Sequence, residues 1–203
     1  MTASATVLPF TTADYPEWHK GRRRYGVWYI PIDDAVVADY CCQLRGELHE
    51  LLADDYRRQW HITLFVNGFY VDGCQYDDDF DDAILSKQIN ALEQLSLSNF
   101  HLTTQALGSF INCAYLGIAP HLELVRIRQH LGSHHREIAP LAYTPHITLG
   151  LYRQAFEYDA VINRLMSVTT RSLCLPVNRL IFATFDANDL QGKLYNQYEI
   201  TLK

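Results

Sequence analysis

Long apolar runs are missing from this chain. No stretch approaches the ~20 residues that a bilayer-spanning helix needs, although 48% of the 203 residues are hydrophobic. The first twenty residues, MTASATVLPFTTADYPEWHK, lack the basic start and apolar stretch of a secretory leader. Their Thr, Ala and Pro content reads as a tail, or as an arm laid over the surface. Cysteines are few and irregular: Cys41, Cys42, Cys74, Cys113 and Cys174 form no CxxC pair. That excludes a disulfide framework and a cysteine zinc site, and fits reduced thiols, mostly core residues, in a cytoplasmic protein. A basic excess is also missing, since 17 Lys and Arg face 23 Asp and Glu for a net charge of −6. A protein that grips a DNA duplex or long RNA nonspecifically carries the opposite balance. A small nucleotide or an RNA end is the better partner. No Gly-rich loop follows a strand, which excludes phosphate loops of the Walker and dinucleotide types.

What is present is an alternation of short elements. Tyr25–Ile32 (YGVWYIPI) has the aromatic and β-branched content of a strand. Asp33 or Asp34 suits a helix N-cap, and apolar residues from Val36 to Leu52 recur at helical spacing, predicting a helix to about Ala53. Trp60–Tyr70 reads as the second strand. The acidic segment Asp72–Asp82 lacks the Gly and Glu offsets of a calcium loop and reads as a solvated loop feeding a helix over Ala83–Leu97. Strands over Phe100–Leu107 and Asn112–Ile118 follow, then a helix begun near Pro120, a strand over Tyr143–Tyr152 and a helix over Tyr158–Ser167. Ser172–Leu175, Arg179–Phe185 and Leu194–Leu202 read as closing strands. The order is α+β, with similar helices around two similar strands. It implies an N-terminal extension over residues 1–24 and one bilobal domain over 25–203.

Those two strands share a tetrapeptide. His-Ile-Thr-Leu runs from His61 to Leu64 and again from His146 to Leu149. Side chains alternate along a strand, so His and Thr share one face while Ile and Leu share the other. Neutral imidazole accepts a proton and imidazolium donates one near neutral pH. Two histidines can therefore divide base and acid roles across one phosphorus, each worth ~10²–10⁴-fold. Thr hydroxyls can hydrogen-bond the nonbridging oxygens. The catalytic candidates are His61, Thr63, His146 and Thr148.

With WHITLFVNGF and YTPHITLGLY, the chain resembles the two-histidine (2H) phosphoesterases, including LigT-like RNA 2′,3′-cyclic phosphodiesterases, also called 2′-5′ RNA ligases. The likeness spans about Tyr25 to Lys203 and includes the terminal pair RLIFATFD and YNQYEITL. It implies two antiparallel sheets flanking a central cleft, with helices on the outer faces. It also implies metal-independent hydrolysis of a 2′,3′-cyclic phosphate or a 2′-5′-linked nucleotide, with no cofactor. RNA end-joining and noncatalytic binding of an RNA end are the alternatives. Many LigT-like members place Arg one residue after HxTL, whereas here Arg153 comes later.

Around the motifs, Phe65 and Tyr152 continue the two His-Thr faces by simple alternation and are candidates to stack on a base. Gly150 would leave room for a ligand. Tyr115 is placed to line the cleft. Arg153, Arg57 and Arg58 could pair with phosphate, and the cluster Lys20, Arg22, Arg23 and Arg24 could steer it. His130 and His134 lie at helical spacing, but Gly132 interrupts them and no acid completes a zinc pattern, so no metal ligand is expected. The expected protein is a monomer that engages neither membrane nor DNA duplex.

Overall fold

The computed structural model describes residues 5–9, 15–54, 56–138 and 142–203. Its elements are α1 (Pro16–His19), β1 (Arg24–Pro31), α2 (Ala35–Glu47), β2 (His61–Tyr70), β3 (Asp79–Phe80), α3 (Asp82–Leu95), β4 (Phe100–Ser109), β5 (Cys113–Ile118), α4 (Leu122–Gly132), β6 (His146–Leu151), α5 (Tyr158–Ser167), β7 (Cys174–Val177), β8 (Arg179–Asp186) and β9 (Tyr195–Thr201). The α+β order is as expected. Among the described residues no helix is long and apolar enough to cross a membrane.

The strands run β7-β4-β5-β6-β2-β1-β8-β9, with β3 alongside β2. Two antiparallel halves, β7-β4-β5-β6 and β2-β1-β8-β9, meet at the β2–β6 seam. There the ladder is a single residue pair, Ile62 opposite Ile147. The two expected sheets are therefore continuous through the narrowest of pairings, and the whole is strongly curled. Beyond Ile62, β2 loses its β-ladder on the β6 side, and side chains take over. Tyr143 donates its hydroxyl to Thr63 O (3.0 Å), and Arg128 donates to Leu64 O. Val66 N donates to Glu137, which is itself held by Arg128 at 2.6 Å. Ile138 N bonds Val66 O. Buried backbone polar groups require partners, and these supply them where the sheet does not.

Helices α2 to α5 bury Val37, Leu44, Leu85, Leu92, Ile127, Leu131, Val161 and Leu165 against one sheet face, where they join Trp28, Ile30, Ile62 and Ile147. The opposite face of β1, β2 and β8 carries a smaller cluster of Tyr25, Val27, Tyr29, Phe69, Ile181 and Phe185, against which Trp18 of α1 packs. The arm before α1 crosses to the other half. Val7 is fully buried, with its N–H on Phe156 O (2.9 Å), and Leu8 N donates to Ile111 O.

Several expectations change. Helix α2 stops at Glu47, just after Gly46, a poor helix former. The following Leu48, Leu51 and Leu52 stay in the core in turns, and Leu52 bridges Tyr152. The acidic segment is not simply solvated. Asp79 is 5% exposed, Phe80 is fully buried, and the two form β3 beside Phe69 and Tyr70. Asp81 does cap α3, accepting from Ile84 N at 3.0 Å. The basic cluster is spent on that segment and its surroundings. Arg22 binds Asp78 and Asp79 beneath the Phe69 ring, Arg24 pairs with Asp72, Arg23 with Asp186, and Lys20 lies over Tyr76. The cluster thus takes part in holding this segment. Of the cysteines only Cys41 and Cys113 are buried.

Candidate active site

Ile62 and Ile147 are fully buried, on the helix-covered face. One step to either side of this antiparallel pair brings Thr63 opposite His146 and His61 opposite Thr148. All four side chains therefore emerge on the other face, at the seam between the halves. The surroundings repeat the same symmetry. Tyr29 of β1 lies beside Thr63, and Tyr115 of β5 lies beside Thr148. The Tyr29 ring meets His61 edge-on at 5.6 Å, and the Tyr115 ring meets His146 at 5.1 Å.

Both imidazoles are held alike. His61 Nδ1 lies 2.7 Å from Gln59 O, and His146 Nδ1 lies 2.7 Å from Thr144 O. A carbonyl only accepts, so each Nδ1 carries the proton and each Nε2 is left as the reactive nitrogen. The environments differ. His61 is 8% exposed, whereas His146 is half-buried. Burial lowers the His61 pKa to about 4, with the charges of Arg58 and His146 adding to the effect against its carbonyl bond. Burial lowers His146 as well. Around Thr148 lie the Tyr56 phenol, which burial raises to about 12, and the Cys113 thiol. Among the described residues no cluster of three or more His, Cys, Asp or Glu side chains is arranged to hold a metal ion.

Two carbonyl-tethered histidines, each with a threonine two residues on, thus share one face at the seam of the two halves. Residues 34–189 match the 2′-5′ RNA ligase superfamily. The chain belongs to that superfamily. Solved structures of the same fold include Escherichia coli LigT complexed with 3′-AMP, at a TM-score of 0.60 and 15% identity, covering 89% of this chain and 99% of that one. A phosphoesterase matches with TM-score 0.57 and 14% identity over 89% and 99% of the two chains. The protein TT0787 of Thermus thermophilus matches with 0.56 and 11% over 88% and 97%. At such identities these likenesses establish the fold alone. No curated protein matches the sequence. Membership of the 2′-5′ RNA ligase superfamily assigns phosphoryl-transfer chemistry of the phosphodiesterase or ligase-like kind.

Several residues expected around the site of this superfamily member lie elsewhere. Phe65 is 2% exposed and Tyr152 is fully buried, both in the helix-covered core. The reason is the same in both halves. Tyr29 pairs with Thr63 but Trp28 pairs with Phe65, leaving Leu64 as an extra residue. Tyr115 pairs with Thr148 but Ala114 pairs with Gly150, leaving Leu149 extra. A β-bulge thus falls on the Leu of each His-Ile-Thr-Leu and reverses the faces after it. Gly150 consequently faces the core, where a Cβ would meet Leu52 at 3.1 Å. Tyr152 instead bonds Ser109 at 2.6 Å. Arg153 donates to Leu52 O and pairs with the exposed Asp54. His135 is held at Asn67 O through Nε2 and His130 at Arg126 O through Nδ1, consistent with structural roles.

Tyr115 keeps its place. Its ring lies flat over Gly108, where a Cβ would come within 2.4 Å of it, so any larger residue there would lift the ring. A cavity of about 370 Å³ opens beside it, lined by Gln105, Gly108, Gly117 and Thr144 among others. Residues not anticipated are Phe110, whose ring meets His146 at 4.9 Å, and Asn196, which accepts the Tyr29 hydroxyl at 2.7 Å. Both come from hairpins distant in sequence from either motif, and no local pattern marks them.

His61 also makes stability depend on pH. Its folded pKa is about 4 against an ordinary 6.5. The unfolded chain binds more protons between these values, so the contribution is complete above pH 6.5 and is lost as pH falls through 4. The loss is roughly 3 kcal/mol. Urea unfolding of the wild type and His61→Gln at pH 7 and pH 4 is expected to show a smaller acid loss in the variant. Equal losses would mean that His61 is not desolvated in this way.

Proposed function

We propose that this protein is a metal-independent phosphodiesterase that hydrolyses a 2′,3′-cyclic phosphate or a 2′-5′-linked nucleotide at an RNA end. The observation that carries the reading is the Ile62–Ile147 pairing, with two Nδ1-tethered imidazoles on one face in unequal environments. The reacting phosphorus sits between the two Nε2 atoms. His61, the more buried and harder to protonate, takes the proton of the attacking water as its oxygen bonds phosphorus. His146 gives its proton to the departing ribose oxygen as the P–O bond breaks. A second turnover requires the proton to pass from His61 back to His146 through solvent. Thr63 and Thr148 hydrogen-bond the nonbridging oxygens, where removal of one donor typically costs ~10²–10³-fold. The Tyr115 cavity gives a nucleoside room beside His146. Support for a nucleotide ligand comes from LigT, of the same fold, which is complexed with 3′-AMP.

The test is turnover of nucleoside 2′,3′-cyclic phosphates and 2′-5′ oligoadenylates by purified protein in EDTA, beside a His61→Ala, His146→Ala double variant. Turnover in EDTA that the double variant lacks is expected. Loss of activity in EDTA would remove the metal-independent claim, and activity surviving in the double variant would remove the mechanism. Tight nucleotide binding with no turnover would favour a binding module, and joining of RNA ends would favour a ligase.

A further inference from the structure

Arg58 is the cation nearest in sequence to the first motif, and its surroundings are unlike those of most arginines here. Its Nε donates to Gly192 O at 3.0 Å and its Nη2 to Leu190 O at 2.8 Å. The guanidinium lies 4.1 Å from the centre of the Phe185 ring. Phe185 belongs to the cluster on the site-bearing face of β1, β2 and β8, so the cation lies over that face. Two carbonyls and an aromatic ring orient the charge without neutralising it. Among the described residues no carboxylate lies within ion-pairing distance of Arg58; Asp189, which pairs with Arg57 at 2.8 Å, acts on its charge only from farther off. Nη1 makes no hydrogen bond to a described residue.

The position also matters to the site. Arg58 directly precedes Gln59, whose carbonyl holds His61 Nδ1, and its charge opposes protonation of His61. A buried imidazole able to become cationic and a partly buried guanidinium thus stand on one face, with no carboxylate ion-paired to either among the described residues. Such an arrangement is unfavourable in isolation, and a phosphoryl anion brought to the face between them would compensate both.

We propose that Arg58, held by the Leu190 and Gly192 carbonyls, forms an anion subsite that binds phosphoryl oxygens of the substrate through its free edge. The inference rests on the phosphodiesterase reading for its substrate, but not for its ligand chemistry. The anion is either the reacting phosphoryl group or the neighbouring phosphate of an oligonucleotide. A planar guanidinium already fixed on one edge presents the other in a defined plane, which a Lys ammonium cannot reproduce.

The experiment compares wild type with Arg58→Gln, Arg58→Lys and Arg57→Gln. Arg57→Gln removes the same charge from the same connection, but at an exposed ion pair. Binding of inorganic phosphate is measured by calorimetry, and kcat/KM with a nucleoside 2′,3′-cyclic phosphate and with a dinucleotide that carries an additional phosphate. Folding is checked by thermal unfolding of each variant. Arg58→Gln is expected to weaken phosphate binding and lower kcat/KM by about 10- to 100-fold, as for a lost charged hydrogen bond. Arg58→Lys is expected to fall between, and Arg57→Gln to stay within about twofold of wild type. An equal loss on both substrates locates the reacting phosphoryl group at Arg58, and a larger loss on the dinucleotide locates the neighbouring phosphate there. Unchanged phosphate binding in folded Arg58→Gln, or equal losses in Arg57→Gln, would overturn the subsite. Phosphate binding that depends on Arg58 without turnover by the wild type would retain the subsite and remove the phosphodiesterase reading.

Discussion

His146→Ala is expected to lose ~10²–10⁴-fold in kcat with a nucleoside cyclic phosphate and to recover most of it with a nitrophenyl phosphodiester. His61→Ala is expected to lose a similar factor with both. The reason lies in what each proton transfer serves. A ribose oxygen leaves as a strong base and needs its proton in the transition state, so removal of the acid is felt in full. Nitrophenolate is stable without a proton, so the acid becomes dispensable. Water needs deprotonation whichever group leaves, so no leaving group rescues loss of the base. The assignment follows from environment. His61 is 8% exposed and close to the Arg58 charge, both of which oppose protonation. His146 is half-buried, with two aromatic rings beside it. Rescue of His61→Ala by the nitrophenyl substrate, with none for His146→Ala, would exchange the roles. Rescue of neither would argue against a division of labour.

The sequence carries the site's centre and little of its edge. Alternation along two strands puts His61, Thr63, His146 and Thr148 on one face, and the register through Ile62 and Ile147 is consistent with that reading. Helix α5 is legible to the residue, because Val161 and Leu165 have helical spacing and no tertiary contact overrides it. Alternation misleads immediately after the motifs. The bulges at Leu64 and Leu149 turn Phe65 and Gly150 into the core, and nothing in a strand's own composition announces a residue without a cross-strand partner. Both errors have one cause because the two halves share one geometry. The partners of the site are harder still. Tyr29 is set by pairing with a strand far away in the chain, and Asn196 by pairing with another. Charges show the same limit. Arg22 and Arg58 look alike in the sequence, but one meets Asp78 and Asp79 while the other donates to two carbonyls and lies over a ring.

The pH dependence of turnover is the other large effect, and its sign follows from the two depressed histidines. The productive enzyme holds one proton on the pair. Protonation of His61 near pH 4 removes the base and sets the acid limb. Deprotonation of His146, which burial lowers from the ordinary 6.5, removes the acid and sets the alkaline limb. In kcat/KM, which reports the free enzyme, the maximum is therefore expected on the acid side of neutrality. By pH 8 the value is expected to have fallen at least about 30-fold, since each unit above the limb costs a factor of ten. A bound phosphoryl anion favours imidazolium, so the alkaline limb of kcat lies higher than that of kcat/KM. The bell alone does not distinguish base from acid, because exchanging the two roles leaves the same dependence on one shared proton. It tests instead whether both groups are desolvated. Initial rates of cyclic phosphate hydrolysis from pH 4 to 9 measure it, and a kcat/KM that is flat across this range or greatest above pH 8 contradicts a pair of buried, proton-sharing imidazoles.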